Sequence, residues 1–200
     1  MKNDWTGSTL SVFSNMGATN HFDSVRQNED YYATEPKAVR LLLEKELFGS
    51  QIWENACGEG HLSLEMESLG YDVFSSDLID RGFGDGTLDF LSLTEYYSEF
   101  DTNIISNPPY KYANEFIEIG LQVIRYGYKM AYLLPIRYLE GKERRKIFDK
   151  FPPRKVYVSS SRIKCAKNGN FDELDGSAMS YAWFVWEKGF KGKPTLEWFN

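Results

Sequence analysis

Residues 102–110 read TNIISNPPY, and this stretch is the most informative part of the sequence. A short run rich in β-branched residues that ends in Asn-Pro-Pro is typical of a buried strand that stops abruptly at its carboxyl end. The two prolines have fixed φ angles and no N–H groups, so Asn107 is held extended and the chain cannot continue directly as a helix. The stretch therefore predicts a rigid strand end.

The chemistry that suits this strand end is the recognition of a planar amino group. The carboxamide oxygen of Asn107 and the next backbone carbonyl can accept two N–H bonds, while Tyr110 can stack on the ring that carries the amine. Taken alone, the tetrapeptide equally fits a strand-terminating turn with a buried tyrosine.

Upstream, residues 51–54 (QIWE) are predicted to form a strand, residues 55–60 (NACGEG) a tight loop and residues 61–69 a helix. In such an arrangement small residues let the backbone approach a ligand, and the amino terminus of the helix offers free N–H groups. A Gly-x-Gly motif alone is weak evidence, because plain strand-to-helix connections also contain it.

A second predicted strand, residues 71–77, ends in an acid about 20 residues after the glycines. A carboxylate at this position can accept hydrogen bonds from both hydroxyls of a ribose, although Asp77 also fits a helix cap. Residues 87–91 (TLDFL) predict a brief third strand, followed by a helix over residues 93–100. There Asp89 could bind the amino group of an adenine and Phe90 could pack on its face. Asp89 also fits a solvated loop acid.

The order of predicted elements defines the fold class. Helices alternate with strands, which predicts an α/β fold with a doubly wound, mostly parallel sheet and helices on both faces. The carboxyl-terminal part is β-rich without an intervening helix, so its two main strands should pair antiparallel as a hairpin at the sheet edge. The remaining predicted elements are helices 36–48, 113–124 and 141–150, and strands 128–134, 155–158, 178–187 and 195–199.

The size and composition predict one domain with an appendage. The chain has 200 residues, with 42% hydrophobic and 26% charged residues, which is ordinary for a globular protein. Residues 1–30 are rich in Ser, Thr, Asn and Gly and lack a regular period, so we interpret them as an irregular amino-terminal arm. Residues 31–200 are then a single domain.

Charge is unevenly distributed along the chain. The net charge of −6 argues against a protein that coats nucleic acid through bulk electrostatics. Residues 1–128, however, hold 8 Lys/Arg and 21 Asp/Glu, whereas residues 129–200 hold 15 and 8. Such asymmetry indicates a side that faces a polyanion, unless the basic residues merely solvate a helix and a hairpin. The candidate phosphate contacts are Arg144, Arg145, Lys146, Arg162 and Lys164.

The few cysteines and histidines limit other chemistries. Cys57 and Cys165 lie far apart without metal-type spacing, so both are expected to be reduced. With His21 and His61 as the only histidines, no metal site and no Ser-His-Asp arrangement is predicted. No signal peptide opens the chain and no apolar run reaches membrane-spanning length, so we expect a cytoplasmic protein with no membrane partner.

Taken together, the motifs resemble a known family. The glycine loop, the ribose acid, Asp-Phe and Asn-Pro-Pro-Tyr end four successive predicted strands, and in an open α/β sheet such ends form one ligand-binding crevice. This combination resembles the S-adenosylmethionine-dependent amino-methyltransferases, specifically the adenine-N6 DNA methyltransferases and, closest of all, the small phage-type enzymes. The resemblance extends from Tyr31 to Trp198. It implies a Rossmann-like methyltransferase fold, S-adenosylmethionine as cofactor, DNA as partner and, for a phage-encoded enzyme, the host cytoplasm as location.

The resemblance also implies roles for individual residues. Asn107, Pro108, Pro109 and Tyr110 correspond to the catalytic motif. The cofactor-binding positions are Tyr32, Thr34, Pro36, Glu54, Asn55, Cys57, Gly58, Gly60, Asp77, Asp89, Phe90 and Asn107. Family members that recognise a defined DNA sequence on their own usually carry a separate recognition domain of substantial size. Here we expect residues 137–177 to be a reduced target-contact region in its place.

Other functions fit the same motifs. The methyl group could be transferred to an RNA base or to a protein glutamine amide, because Asn-Pro-Pro-Tyr also resembles enzymes with those substrates. A non-catalytic accessory protein that binds S-adenosylmethionine or DNA is the alternative from a different class.

Overall fold

The structure, a computed structural model, describes residues 32–95, 99–167, 169, 171 and 179–200. The predicted amino-terminal arm, residues 1–30, lies outside the described residues, as do residues 96–98 and most of residues 168–178. None of the helices in the described ranges is long and apolar enough to cross a membrane.

Strands and helices alternate along the described chain, as the sequence predicts. The α-helices are α1 (Lys37–Lys45), α2 (His61–Ser68), α3 (Ala113–Val123) and α4 (Lys142–Lys150), and 3-10 turns lie at Phe90–Glu95, Tyr110–Tyr112 and Ile136–Leu139. The strands are β1 (Tyr32–Thr34), β2 (Gln51–Glu54), β3 (Asp72–Asp77), β4 (Gly86–Thr87), β5 (Asn103–Ser106), β6 (Lys129–Pro135), β7 (Lys155–Ser159), β8 (Cys165–Lys167), β9 (Tyr181–Glu187) and β10 (Thr195–Phe199).

Eight strands form the main sheet in the order β10-β7-β9-β6-β5-β2-β3-β4. Strands β2 to β6 pair in parallel, whereas β9 runs antiparallel to both β6 and β7. The predicted α/β class with a doubly wound, mostly parallel sheet is therefore confirmed. The predicted antiparallel hairpin is β7 with β9, but β10 pairs in parallel with β7 and takes the outer edge.

The central strands are buried on both faces, which is why their sequences are continuously apolar. In β6, Met130, Tyr132 and Leu134 face one cluster of the core, while Ala131 and Leu133 face the other. Helices α3 and α4 cover the first face, and helices α1 and α2 cover the second. The core therefore consists of two apolar layers separated by the sheet.

Helix α1 is shorter than predicted. Its apolar residues have helical spacing, and Ala38, Val39 and Leu42 are buried. The helix ends at Lys45 rather than at residue 48, because Glu46 is extended and turns its carboxylate towards Lys129 in the core.

The predicted third strand and the helix after it are wrong in detail. Only Gly86–Thr87 pairs with β3. A 3-10 turn covers Phe90–Glu95, where the end of the strand and the start of the helix are predicted. The carboxylate of Asp89 accepts the N–H of Leu91 at 3.0 Å, and the carbonyl of Asp89 accepts the N–H of Ser92 at 3.0 Å. These local bonds turn the chain, as Asp side chains often do.

Candidate active site

The carboxyl ends of β5, β2, β3 and β4 lie side by side, because these strands are neighbours and parallel. The loops that carry the sequence motifs therefore meet at one edge of the sheet. A small cleft there is lined by several predicted site residues, namely Tyr32, Thr34, Glu54, Cys57 and Asn107. Its volume is about 20 Å³, which is room for about one water molecule. Tyr32 is 55% exposed at its mouth.

The glycine loop is held in a conformation that requires glycine. Gly58 and Gly60 have φ angles of 56° and 81°, which other residues adopt only with strain. The N–H of Cys57 donates to the carbonyl of Ser76 at 3.0 Å, so the loop is tied to β3. Any side chain at Gly60 would collide with the ring of Phe83. The loop backbone therefore lies directly beside the cleft.

Asp77 fixes the same loop from the end of β3. Its Oδ2 accepts the N–H of Gly58 at 2.8 Å, and its Oδ1 accepts the N–H of Ile79 at 3.1 Å. A carboxylate has about four lone-pair positions, so Asp77 keeps acceptor capacity for further donors such as hydroxyl groups.

Glu54 and Asn55 connect the end of β2 to the interior. The buried carboxylate of Glu54 accepts a hydrogen bond from the Ser63 hydroxyl. Burial raises the pKa of Glu54 to about 8, although Ser63 opposes this shift. Asn55 donates its Nδ2 to the Tyr132 hydroxyl at 2.9 Å, so its amide group points into the core.

Asp89 and Phe90 occupy the start of the 3-10 turn after β4. Asp89 caps the turn, as described above, and Phe90 is 2% exposed. The Phe90 ring packs 5.3 Å from Trp53 and 4.9 Å from Phe116, measured between centroids. The ring is therefore part of the core, and an adenine contact at this position would have to come from Asp89 or the backbone.

Asn107 has a fixed carboxamide with one free acceptor. Its Nδ2 donates to the Thr34 hydroxyl at 2.9 Å and to the carbonyl of Tyr32 at 3.3 Å. Its Oδ1 is buried and has no hydrogen-bond partner among the described residues. Buried polar atoms are normally paired, so such an exception requires an explanation.

The other residues of the motif differ in exposure. Pro108 is buried and Pro109 is exposed. The Tyr110 ring lies 6.2 Å from that of Tyr181, and burial raises the pKa of its hydroxyl well above the usual value. Burial thus keeps the Tyr110 hydroxyl protonated near neutral pH, and a stacking role for its ring stays a prediction.

Strands β1 and β8 form a second, two-stranded sheet that the sequence does not predict. They pair antiparallel, with Thr34 opposite Cys165. Next to this pair, the N–H of Glu35 donates to the carbonyl of Lys164 at 3.0 Å, and the N–H of Lys164 donates to the side-chain carboxylate of Glu35 at 2.8 Å. Pro36 follows as the cap of α1 and contributes to the start of that helix.

Comparisons with known proteins identify the fold. No protein-family model and no curated protein matches the chain. Among solved structures, it is similar to the modification subunit of an enzyme assigned to the type I restriction class from Vibrio vulnificus, with a TM-score of 0.55, 14% identity and coverage of 85% of this chain and 46% of that one. It is similar to a TehB-like S-adenosylmethionine-dependent methyltransferase from Corynebacterium glutamicum, with a TM-score of 0.50, 13% identity and coverage of 90% and 95%.

A third similar structure is a Listeria monocytogenes protein assigned to the class I S-adenosylmethionine-dependent methyltransferases. The TM-score is 0.51 at 15% identity, over 94% of this chain and 71% of that one. The chain shares its fold with these proteins. It spans about half the length of the Vibrio subunit, and at such low identity the likeness concerns the fold alone.

Three of the predicted phosphate contacts, Arg145, Lys146 and Arg162, are exposed, whereas Arg144 and Lys164 are partly buried. Arg144 donates to the carbonyls of Arg137 and Glu140 at 2.9 and 2.7 Å. Arg145 and Lys146 form ion pairs within α4, with Asp149 at 2.6 Å and Glu143 at 2.8 Å. Their side chains remain 76% and 72% exposed. Arg162 is exposed as well, and the Lys164 ammonium group reaches the carbonyl of Phe171 at 3.4 Å.

Two residues of α2, one behind the cleft and one lining it, have no site role in the sequence analysis. Ser63 bonds to Glu54 and lies 2.6 Å from the Ser75 hydroxyl, so it links α2 to β2 and β3. His61 lines the cleft and its ring lies 5.4 Å from that of Phe171. The only sequence signal for both was their place in the first turn of the helix after the glycine loop.

Proposed function

We propose that this protein is an S-adenosylmethionine-dependent methyltransferase that methylates the exocyclic N6 amino group of adenine in DNA. The observation that carries the proposal is the buried, unpaired Oδ1 of Asn107 beside the glycine loop. An acceptor left open in a cleft is matched by a donor from a ligand, and an exocyclic amino group is such a donor.

The residues around the cleft suit the cofactor. Asp77 retains acceptor positions for ribose hydroxyls, and the backbone of Gly58 and Gly60 permits close approach. Glu54 is a buried carboxyl group that lines the cleft, and it could accept a hydrogen bond from the ammonium group of the cofactor. When bound, S-adenosylmethionine supplies an electrophilic methyl group on a sulfonium. Because the cleft has the volume of about one water molecule, we expect the exposed side chain of Tyr32 at its mouth to move when the cofactor enters.

In the mechanism, the protein activates the amine by accepting hydrogen bonds from its two N–H groups, and no base removes a proton before the methyl group is transferred. The lone pair of an adenine amino nitrogen is delocalised into the ring. Asn107 Oδ1 and the Pro108 carbonyl, each accepting one N–H, would favour a tetrahedral nitrogen and stabilise the positive charge that develops on it. The remaining acceleration comes from aligning the amine with the methyl group. In duplex DNA the base must first leave the stack, and the Tyr110 ring is the candidate platform for it.

The choice of DNA rests on charge and on one structural likeness. Residues 129–200 carry 15 Lys/Arg against 8 Asp/Glu, and α4 exposes several of these cations. One of the similar structures is a modification subunit assigned to a restriction enzyme. RNA bases and protein glutamine amides present a comparable planar amine and are the alternative acceptors.

The proposal is tested by a methyl-transfer assay with labelled S-adenosylmethionine on DNA, RNA and protein fractions. Wild-type protein should label DNA at adenine N6. Asn107→Ala should lower kcat by about 10³-fold, as expected for the loss of an interaction made mainly in the transition state. Cofactor affinity, measured by calorimetry, should change little.

Asp77→Ala is the matched variant. It removes an acceptor at the same edge of the sheet as Asn107, but one that is proposed to bind the cofactor and not the target amine. It should weaken cofactor binding and leave kcat at saturating cofactor close to the wild-type value. Near-normal turnover of Asn107→Ala on DNA would refute the mechanism, and labelling of RNA or protein instead of DNA would refute the substrate.

A further inference from the structure

The carboxamide of Asn107 can adopt only one of its two flipped orientations. Its nitrogen faces two oxygen atoms of β1, the Thr34 hydroxyl at 2.9 Å and the carbonyl of Tyr32 at 3.3 Å. A backbone carbonyl can only accept hydrogen bonds, so it requires the amide nitrogen on its side. The flipped carboxamide would place Oδ1 against this carbonyl, and two acceptors would then repel each other.

The hydroxyl of Thr34 is the shorter of the two contacts and is itself immobilised. Thr34 is 3% exposed, and its Oγ1 lies 3.9 Å from the sulfur of Cys165 on β8. A threonine hydroxyl has one donor and two acceptor positions. It can therefore accept from Asn107 while it either donates to the Cys165 sulfur or accepts from the Cys165 thiol.

We propose that Thr34 is a positioning residue for methyl transfer, which holds the Asn107 carboxamide so that Oδ1 is presented to the target amine. This inference rests on the proposed function, since it concerns the step at Asn107. Thr34 acts through Asn107, and the contact with Cys165 makes β8 the support of both.

The pairing of β1 with β8 extends this role to the target-contact region. Thr34 lies opposite Cys165, and Glu35 exchanges two hydrogen bonds with Lys164. Lys164 is among the candidate phosphate contacts. Thus the segment that positions the catalytic amide is hydrogen-bonded to the segment that is expected to contact the nucleic acid.

The test compares Thr34→Val with Thr34→Ser. Valine keeps the branched shape that suits a strand but cannot accept a hydrogen bond, whereas serine keeps the hydroxyl. At saturating cofactor and DNA, Thr34→Val should lower kcat by about 10- to 100-fold, because small displacements of an aligned group have effects of this size. Thr34→Ser should retain kcat within about 3-fold. Thermal unfolding of both variants, with Thr34→Ala as a second variant lacking the hydroxyl, verifies the fold.

A second readout follows the carboxamide itself. In 15N-labelled protein, the side-chain NH2 signals of Asn107 are identified by their absence in Asn107→Asp. Thr34→Val should shift these signals and Thr34→Ser should leave them nearly unchanged. A wild-type kcat in Thr34→Val overturns the proposal, and so do unchanged NH2 signals. If the wild-type protein methylates no acceptor, the proposed function fails, and the NH2 signals alone then decide whether Thr34 positions the amide.

Discussion

Two asparagines at opposite ends of β5 use the same side chain in different ways. Asn103, the first residue of the strand, donates its Nδ2 to the carbonyl of Gln51 at 3.2 Å and accepts the N–H of Lys129 at 3.0 Å. Asn107, directly after the strand, also has its nitrogen bonded, but its oxygen has no partner among the described residues. The first asparagine links three strands, whereas the second leaves an acceptor open.

Two buried glutamates, one at each end of the sheet, also differ in whether their polar atoms are fully paired. Glu46, at the amino end, contacts the ammonium group of Lys129 and accepts from the Tyr157 hydroxyl at 2.8 Å. Burial acts to raise the pKa of Glu46, but these hydrogen bonds and the charges of Lys129 and Lys155 outweigh it, so the pKa is lowered. Glu54, at the carboxyl end, accepts a hydrogen bond from the Ser63 hydroxyl and pairs with no cation among the described residues, and burial raises its pKa to about 8.

The amino end of the sheet thus has the features of a structural end, and the carboxyl end has those expected of a functional one. At the amino end, the polar groups described here satisfy one another, which stabilises the fold. At the carboxyl end, an unpaired acceptor and a carboxyl group with a raised pKa lie around one cleft, and this combination is typical of sites that bind ligands. Substitutions at the two ends should therefore affect different properties.

The largest effect is expected from the two glutamates, which should give opposite pH dependences of stability. The folded chain keeps a proton on Glu54 up to about pH 8, whereas the unfolded chain releases it near 4.5. The free energy of unfolding should therefore fall as pH rises through this window, by up to about 5 kcal/mol. Glu54→Gln should remove this decrease, as measured by urea unfolding between pH 5 and 9.

Glu46→Gln is the matched variant, with the opposite sign. Because the folded pKa of Glu46 is lowered, its contribution is present above its unfolded pKa and is lost as pH falls through the folded value. The variant should therefore be less stable than the wild type at pH 7, with a difference that vanishes at acidic pH. A stability difference between Glu54→Gln and wild type that is constant from pH 5 to 9 would contradict the contrast between the two ends.

A smaller effect is expected at Asn103. Asn103→Ala leaves the partly buried carbonyl of Gln51 and N–H of Lys129 without their side-chain partner, which should lower the free energy of unfolding by about 1–2 kcal/mol. The kcat of the folded protein should stay at the wild-type value, in contrast to Asn107→Ala. Urea unfolding and the labelled-methyl assay on the same preparation measure both quantities. A loss of activity in Asn103→Ala without a loss of stability would contradict the distinction between a structural Asn103 and a catalytic Asn107.

Much of the fold could be predicted because the central elements obey simple periodicities. Strand β2 has the predicted bounds, and α2, α3 and β5 differ from prediction by about one residue, within the usual scatter of element ends. The prediction for residues 87–91 was wrong. The hydrogen bonds made by Asp89 decide the conformation of this segment, and the hydrophobic period of five residues does not reveal them. The β1–β8 pair was missed because its partners lie 131 residues apart.

The site could be predicted only in outline for the same reason. The motif order placed the glycine loop, Asp77 and Asn107 at one edge, since parallel neighbouring strands end together. What each side chain does there depends on distant contacts. The direction of the Asn55 amide is set by Tyr132, 77 residues away, and the orientation of Asn107 is set by Thr34, 73 residues away.

The smallest effect is expected from the exposed cations of α4, which begins at the carboxyl end of the sheet. The ion pairs of Arg145 and Lys146 are exposed, and such pairs contribute about 0–1 kcal/mol, so the cations can exchange their partners for phosphates at little cost. Replacing both by Gln should weaken DNA binding about 3- to 10-fold. It should also reduce the slope of log affinity against log salt concentration by up to about 2.

The control is the double variant Lys191→Gln, Lys193→Gln, which removes two cations near the opposite end of the sheet. These lysines follow β9, whose last residue, Glu187, pairs with Lys129 at the amino end of β6. Fluorescence anisotropy over a salt series measures both double variants. Equal losses in the two would mean that the basic residues act through overall charge, and the functional end of the sheet would then have no phosphate contacts of its own in α4.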